Sequence, residues 1–538
     1  MNKTQISEKK FSNAINFIKL GKLDAAQEIL HEMLSKGHTN AEIKSNLGVI
    51  EFKRGNYWEA YQIFLEIKEI LKNDPDVLNR FALAAMHLQR YAEAESALKS
   101  AVESNPSHFD SWINLCTLAG FQGQDVKGLE YAMRAIAVRP TSAGAYVNLG
   151  ACLQACNRMD DAEHAFETAL LLDQNQLTAM INLGVIAGIK NQNEKAITYY
   201  DEVINRTGPS LVAKEKEAKF YKSISLLKIG QLREGWQLYD AGFYPSLPQG
   251  RTPKRTFAVA QWDGRPLSVD EPLLIWKEQG VGDELLFLSC LPEAELQAKN
   301  IIVECDHRLV SPLSRSFPGI RFRAQAFDKE NNFSPLFNDF LFHCPIGSMF
   351  GMFRQDLSDF DRAKKIISPD TNLVDFYKRR IGATPGRLKV GICWRSGSLT
   401  TMRNLNYTSL SDWKDIFSCR DDIDFFNLQY GDFSEEVRNA NKQFGIHINW
   451  WPDINYKDSF EDLFALSSLM DVVVTVGTAV TTIAASVGTP TILLEGKNWT
   501  SFGTEQYPAY PYVTLLQTSD DEPVSALIPK AADLLINL

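Results

Sequence analysis

Small and large apolar positions recur along the first 240 residues with a fixed period. Gly21, Gly55, Gln89, Gly123, Asn157 and Asn191 stand 34 residues apart. Five residues after each come Ala26, Ala60, Ala94, Gly128, Ala162 and Ala196, and four further on Leu30, Phe64, Leu98, Ala132, Phe166 and Tyr200. Seven before each stand Ala14, Gly48, Ala82, Cys116, Gly150 and Gly184. This spacing predicts helix pairs that turn at the first set. Small residues at fixed points let two helices approach, and the large one fills the groove between pairs. Pro106 and Pro140 stand where second helices must stop. Gly230, Gly235 and Tyr239 predict a seventh copy, offset by an insertion after Arg206-Thr207-Gly208-Pro209.

Beyond Tyr239 the period is lost. Residues 241–271, with Pro245, Pro248, Pro253 and Pro266, read as an irregular connector. Short apolar runs then alternate with helical stretches. PLLIW (272–276), NIIVEC (300–305), IRFRA (320–324) and DFLFHC (339–344) form one series. KVGICW (389–394), FFNLQY (425–430), IHINWW (446–451), DVVVTV (471–476) and PTILLE (490–495) form a second. Strands apolar on both faces and separated by helices predict parallel sheets. The expected organisation is therefore a helical repeat domain over 1–240, a linker over 241–271, and two Rossmann-like α/β domains over 272–385 and 386–538. In open parallel sheets ligands sit beyond the carboxyl ends of the strands, so the loops after these runs carry the candidate chemistry.

Four such loops stand out. Gln279-Gly280-Val281-Gly282-Asp283 follows the first strand and opens a helix. Its two glycines permit a close backbone approach, and Asp283 is either a first-turn acid that compensates the helix dipole or a general base aimed into a cleft. Arg395-Ser396-Gly397, with Arg403 beyond it, suits a phosphate through its guanidinium. Gln429 and Tyr430 end the next strand, where a base or ribose edge would lie. Thr478, Ala479, Thr481 and Thr482 open a helix, offering N–H groups and hydroxyls to an anion.

Composition narrows the field. The 538 residues are 45% hydrophobic and 23% charged, as in folded globular chains. A net charge of −10 argues against nucleic acid as the main partner. No apolar run reaches a membrane span, and the start MNKTQISEKKFSNA has no export signal, so a cytoplasmic protein is expected. The eight cysteines form no C-x-x-C pair and the histidines no ligand spacing, so no metal site and no metal cofactor are expected. A G-x-G-x-x-G followed by a distant acid is missing, against a nicotinamide-dependent oxidoreductase.

The 34-residue pattern resembles the tetratricopeptide repeat (TPR), which implies an α superhelix whose concave groove holds a partner polypeptide. Asn46, Asn114, Asn148 and Asn182 are candidate groove residues, able either to bind a peptide backbone or to brace neighbouring helices. The motifs GQLREGWQLYDAGF, AQWDGRPL, EQGVGDELLFLSCLP, VGICWRSG and DVVVTVGTAV to GTPTILL resemble bacterial TPR-fused glycosyltransferases. Their catalytic half is similar to the heptosyltransferases of the GT-B fold. The resemblance implies a metal-independent, inverting transfer from a nucleotide sugar, with Asp283 as base. It also implies a protein acceptor such as flagellin, held by the repeats, and a donor such as a CMP-linked nonulosonic acid. Where that family has D-T-x-x-x-H, this chain has Gly477 and Thr482 at the outer positions, which speaks against ADP-heptose. A lipopolysaccharide or capsule glycosyltransferase, and a TPR adaptor with an inactive catalytic half, are the alternatives.

Overall fold

The computed structural model describes residues 3–36, 41–71, 73–245, 247, 250–328, 333–362, 364–382, 386–396, 407–518 and 522–538. The chain forms two compact units, Met1–Asn182 and Leu183–Leu538.

The first unit is built from helix pairs: Lys3–Lys19 with Leu23–Ser35, Ala41–Lys53 with Tyr57–Ile70, Pro75–His87 with Tyr91–Ser104, Phe109–Phe121 with Asp125–Val138, and Ala143–Ala155 with Met159–Leu172. It is a TPR solenoid. Its turn residues of the 34-residue set are all left-handed, with φ of 73° at Gly21, 83° at Gly55, 58° at Gln89, 66° at Gly123 and 60° at Asn157. That conformation costs glycine little and asparagine modestly, which explains their choice. Contact between paired helices is matched by volume. Gly48 faces Phe64 and Gly150 faces Phe166; a Cβ on either glycine would sit 2.8 or 2.6 Å from the ring. Where the large position is Leu30 or Leu98, the small one is Ala14 or Ala82, and where it is only Ala132, the partner position holds Cys116. Beside that smaller pair packs Cys152 of the next repeat, its Sγ 3.4 Å from that of Cys116.

The second unit opens with the last helices of the repeat array, Asn193–Arg206, Val212–Lys228 and Leu232–Tyr239. Sequence periodicity puts a boundary at 240, whereas compactness puts it at 182. The reason is burial. Trp236 donates its indole N–H to the Arg354 carbonyl at 2.9 Å and meets Phe350, Trp499 and Phe502 edge to face. At the turn before it, a Cβ on Gly230 would lie 3.0 Å from the Phe502 carbonyl oxygen, so the repeat and the α/β part touch backbone to backbone.

Two parallel sheets follow. The first comprises β1 (Ala260–Gln261), β2 (Leu273–Trp276), β3 (Ile301–Cys305), β4 (Arg321–Ala324) and β7 (Phe342–Pro345), in the order β1-β7-β2-β3-β4, with a small antiparallel ribbon of β5 (Phe327–Asp328) and β6 (Ser334–Pro335) beside it. The second comprises β8 (Leu388–Cys393), β9 (Ile423–Asn427), β10 (Ile448–Asn449), β11 (Val472–Val476), β12 (Thr491–Glu495) and β13 (Val513–Gln517), in the order β10-β9-β8-β11-β12-β13. The order in which strands are added reverses between β8 and β11, and between β2 and β7, and a crevice opens at such switch points. All nine strands expected from apolar runs are present. β1, β5, β6 and β13 were not expected. The stretch expected to be an irregular connector instead adds β1 to the sheet edge and buries Arg251 and Trp262, a contribution too short to show any alternation.

Volume matching in the solenoid makes a direct prediction. Gly150→Ala is expected to destabilise the first unit by about 1–3 kcal/mol through overpacking against Phe166, and adding Phe166→Leu to recover most of it. Thermal unfolding of the single and double variants followed by circular dichroism checks this.

Candidate functional site

A cavity of about 580 Å3 lies at the switch points of the second unit. The first sheet contributes Gly280, Val281, Gly282, Asp283 and Leu286; the second contributes Ser396, Tyr430, Gly477, Thr478, Ala479, Thr481, Thr482, Glu495 and Lys497. Lys228, at the end of a repeat helix, completes the wall.

The G-x-G loop is held from below by buried charges. Arg251, fully buried, bonds Glu278 through Nε at 2.6 Å and through Nη2, pairs with Asp240, and reaches the Ser348 hydroxyl at 3.1 Å. Glu278 also accepts the Gly347 N–H at 2.9 Å. Burial alone would raise the Asp240 carboxyl; the Arg251 guanidinium beside it overrides this and holds it below the ordinary range. Glu284, one turn into the helix Val281–Leu288, accepts the Asp306 N–H at 2.9 Å and meets Lys277 at 3.3 Å, and its burial pushes it up to about 7. These contacts fix the helix start, so that Asp283 is partly exposed on the cavity wall.

Gly282 has a different partner from the one its sequence context suggests. A Cβ there would lie 3.4 Å from the Ala479 Cα, so the glycine lets the helix Val281–Leu288 approach the helix Ala479–Ser486. Gln279 adopts φ 58° and turns its amide away from the cavity, donating to the Tyr239 hydroxyl at 2.8 Å.

On the second sheet, Thr478 caps its helix by accepting the Val480 N–H at 3.3 Å. Thr481 donates back to the Val476 carbonyl and Thr482 to the Ala479 carbonyl, at 3.3 and 3.1 Å, while both line the cavity. Ser396 and Tyr430 approach one another, hydroxyl to hydroxyl, at 3.3 Å. Two expected donor contacts are engaged elsewhere. Arg395 is bound to Glu436, Nε to Oε1 at 3.0 Å, and to the Asp432 carbonyl at 2.6 Å, so its guanidinium faces the helix Ser434–Phe444. Gln429 is fully buried, its oxygen accepting from Trp394 and Arg395 N–H at 3.1 and 3.0 Å and its nitrogen donating to the Tyr430 carbonyl at 2.9 Å. It staples the ends of β8 and β9 together. Gly397 and Arg403 lie outside the described residues.

Three cavity residues carry no local sequence signal. Lys228 belongs to a repeat helix, and Lys497 and Glu495 stand at and after a strand end that bears no glycine-rich pattern. Burial pushes Glu495 up to about 7, against the hydrogen bond it receives from Asn498 at 2.9 Å. Among the described residues no group of three or more His, Cys, Asp or Glu side chains is arranged to hold a metal, and no helix is long and apolar enough to cross a membrane.

The groove candidates in the first unit are partly committed. Asn114 donates to Asn79 of the neighbouring repeat at 2.8 Å, and Asn46 and Asn182 return their amides to Glu42 and Thr178 carbonyls at 2.8 and 2.9 Å. Asn114 therefore braces two repeats, Asn46 and Asn182 bond within their own helices, and Asn148 is partly exposed.

Known proteins share parts of this architecture. The tetratricopeptide repeat family matches residues 143–176 and 177–207, and the coatomer epsilon subunit family matches 17–136. Protein FlbA of Caulobacter vibrioides is 26% identical over 489 residues, 88% of this chain and 75% of its own length. The human protein O-mannosyl-transferase TMTC1 is 26% identical over 204 residues, 37% of this chain and 23% of that protein. A tetratricopeptide repeat protein from Parabacteroides merdae aligns with a TM-score of 0.38 and 15% identity, over 45% of this chain and 95% of that structure. The chain is thus a TPR protein similar to FlbA and, over a shorter stretch, to TMTC1.

The buried charges make two outcomes measurable. Arg251→Ala is expected to cost about 3–5 kcal/mol by stranding Glu278, whereas the double replacement Arg251→Met with Glu278→Leu should restore only part of it, since Asp240 and the Gly347 N–H lose their partners; chemical denaturation of the full chain checks this. Glu495 keeps its proton to about 7 when folded but loses it near 4.5 when unfolded. The folded state therefore binds the extra proton between those values, and stability falls as pH rises through them. Wild type should lose about 1–3 kcal/mol relative to Glu495→Gln across this window, read from melting temperatures against pH.

Proposed function

We propose that the protein is a glycosyltransferase of GT-B architecture that moves a sugar from a nucleotide-activated donor to a hydroxyl of a protein acceptor, without a metal. The observation that carries this reading is the cavity at the switch points of both sheets, which holds an acid from the first, a helix start from the second and two lysines. The similarity to FlbA over most of the chain, and to an O-mannosyl-transferase over part of it, is in keeping with protein glycosylation.

In this mechanism the donor phosphate lies over the start of the helix Ala479–Ser486, where backbone N–H groups and the helix dipole favour negative charge. Lys228, whose ammonium also donates to the Gly188 carbonyl at 2.9 Å, and Lys497 supply cationic charge on the cavity wall. The acceptor serine or threonine oxygen attacks the anomeric carbon as Asp283 takes its proton. The bond from that carbon to the phosphate oxygen breaks, and the nucleotide leaves with the electron pair. A single displacement of this kind inverts the anomeric centre. The TPR helices hold the acceptor polypeptide, for which flagellin is the candidate that the family resemblance suggests, and a CMP-linked nonulosonic acid is the matching candidate donor. Among alternative readings, a TPR adaptor without catalysis draws support from the internal commitment of Arg395 and Gln429.

Asp283→Ala is expected to lower transfer by at least about 1,000-fold while leaving the fold and donor affinity intact, measured as radiolabelled sugar incorporated into acceptor protein alongside calorimetric donor binding. Normal turnover in this variant removes Asp283 from the chemistry; binding of no nucleotide by the wild type favours the adaptor.

A further inference from the structure

The fourth helix pair, Phe109–Phe121 with Asp125–Val138, departs from the repeat pattern at three positions. Where the other five copies have Ala26, Ala60, Ala94, Ala162 and Ala196, it has Gly128. Where they have Leu30, Phe64, Leu98, Phe166 and Tyr200, it has Ala132. Where they have alanine or glycine before the turn, it has Cys116.

The three departures meet in one place. Cys116, Ala132 and Cys152 form a single buried cluster, with Leu129, Tyr131 and Leu149 packed around it. The volume that a leucine or an aromatic ring fills in the other copies is taken here by two sulfur atoms, 3.4 Å apart. Cys152 belongs to the first helix of the next pair, Ala143–Ala155, and its Sγ lies over Gly128, 3.0 Å from where an alanine Cβ would begin. The sulfurs of a disulfide stand about 2.05 Å apart, so these two thiols are already in contact along the line of such a bond. Closing it adds no atom to the cluster, and close packing does not oppose it.

We propose that Cys116 and Cys152 are a dithiol site for peroxides, which closes to a disulfide between neighbouring repeats and fixes the spacing of the helices that carry Asn114 and Asn148. The site lies in the first unit and does not depend on how the cavity of the second is read. Hydrogen peroxide is close to water in size, and Cys152 is 8% exposed against 3% for Cys116. The Cys152 thiolate attacks one peroxide oxygen, the O–O bond breaks, and hydroxide leaves a sulfenic acid behind. The Cys116 sulfur then attacks the Cys152 sulfur, the S–O bond breaks, and a second hydroxide leaves. The two thiol protons turn both hydroxides into water. Each sulfur gives up one electron and each peroxide oxygen gains one. The bond joins residues 36 apart in the chain, so it restricts the unfolded state and raises stability.

The test treats the full-length chain with hydrogen peroxide, blocks the remaining thiols and maps linked peptides by mass spectrometry without reductant. It is run on a Cys156→Ser background, because Cys156 is partly exposed four residues beyond Cys152. Control variants are Cys116→Ala and Cys152→Ala. They introduce the alanine that other copies bury at the same positions, Ala14 and Ala82 for the first and Ala84 for the second, so both should fold. The expected result is a linked Cys116–Cys152 peptide from the folded chain, with a rise of about 5–15 °C in the melting temperature of the first unit that dithiothreitol reverses. Neither control should show either change. A peroxide-treated folded chain without the linked peptide overturns the proposal. So does a link that forms only in urea, or one that leaves the melting temperature unchanged or lower, because the bond would then not match the native spacing.

Discussion

A guanidinium without access to water has to be matched on every side, and Arg251 is matched by groups from three parts of the chain. Asp240 comes from the end of the repeat array, Glu278 from the loop after β2, Ser348 from the helix after β7, and the rings of Tyr239 and Phe243 cover its face at 4.2 and 4.1 Å. Gly347 has to be glycine here, since a Cβ would lie 2.7 Å from Glu278 and 3.0 Å from Arg251. A buried ion pair of this kind contributes less to net stability than to uniqueness: any displacement of one partner strands the other. The loop that carries Asp283 begins one residue after Gln279, itself held left-handed against Tyr239, so the cavity inherits its geometry from this knot.

The same economy governs the rest of the cavity. Side chains that would be conspicuous ligands in an extended chain, Arg395 and Gln429, are consumed in fastening strand ends and helices to one another. Among the described residues, the charged ones lining the wall are Asp283, Glu495, Lys228 and Lys497. Two of these four stand at the end of β12 and in the loop after it, and one on a repeat helix. One repeat helix is thus part of the cavity wall, and the backbone contacts of Gly230 and Gly503 explain how a repeat turn comes so close.

In the first unit the governing constraint is volume. Helices of 13 or 14 residues in the four pairs from Ala41 to Leu172 meet at points occupied by Gly with Phe, Ala with Leu, or Cys with Ala. Buried amides such as Asn79, bonded to Ser111 and Asn114, then fix the register between repeats, because a buried polar group without a partner is costly.

The sequence by itself determined the repeats, the alternation of strands and helices, and which loops lie at the strand ends, because these follow from local periodicity and from backbone preference: the left-handed turns at Gly21, Gly55, Gly123 and Asn157 are properties of single residues. It also placed Asp283, Thr478 and Tyr430 at loops that the fold gathers into one cavity. Only the tertiary structure decided which of the candidate side chains face that cavity and which are spent on neighbours, since Glu436 lies 41 residues from Arg395 along the chain and reaches it only through the packing of a helix on the sheet. It alone brought in Lys228 and Glu495, and set the compact boundary at 182 instead of 240. Periodicity reports how a segment folds on itself; long-range burial of Trp236 and Arg251 determines to what it is fastened.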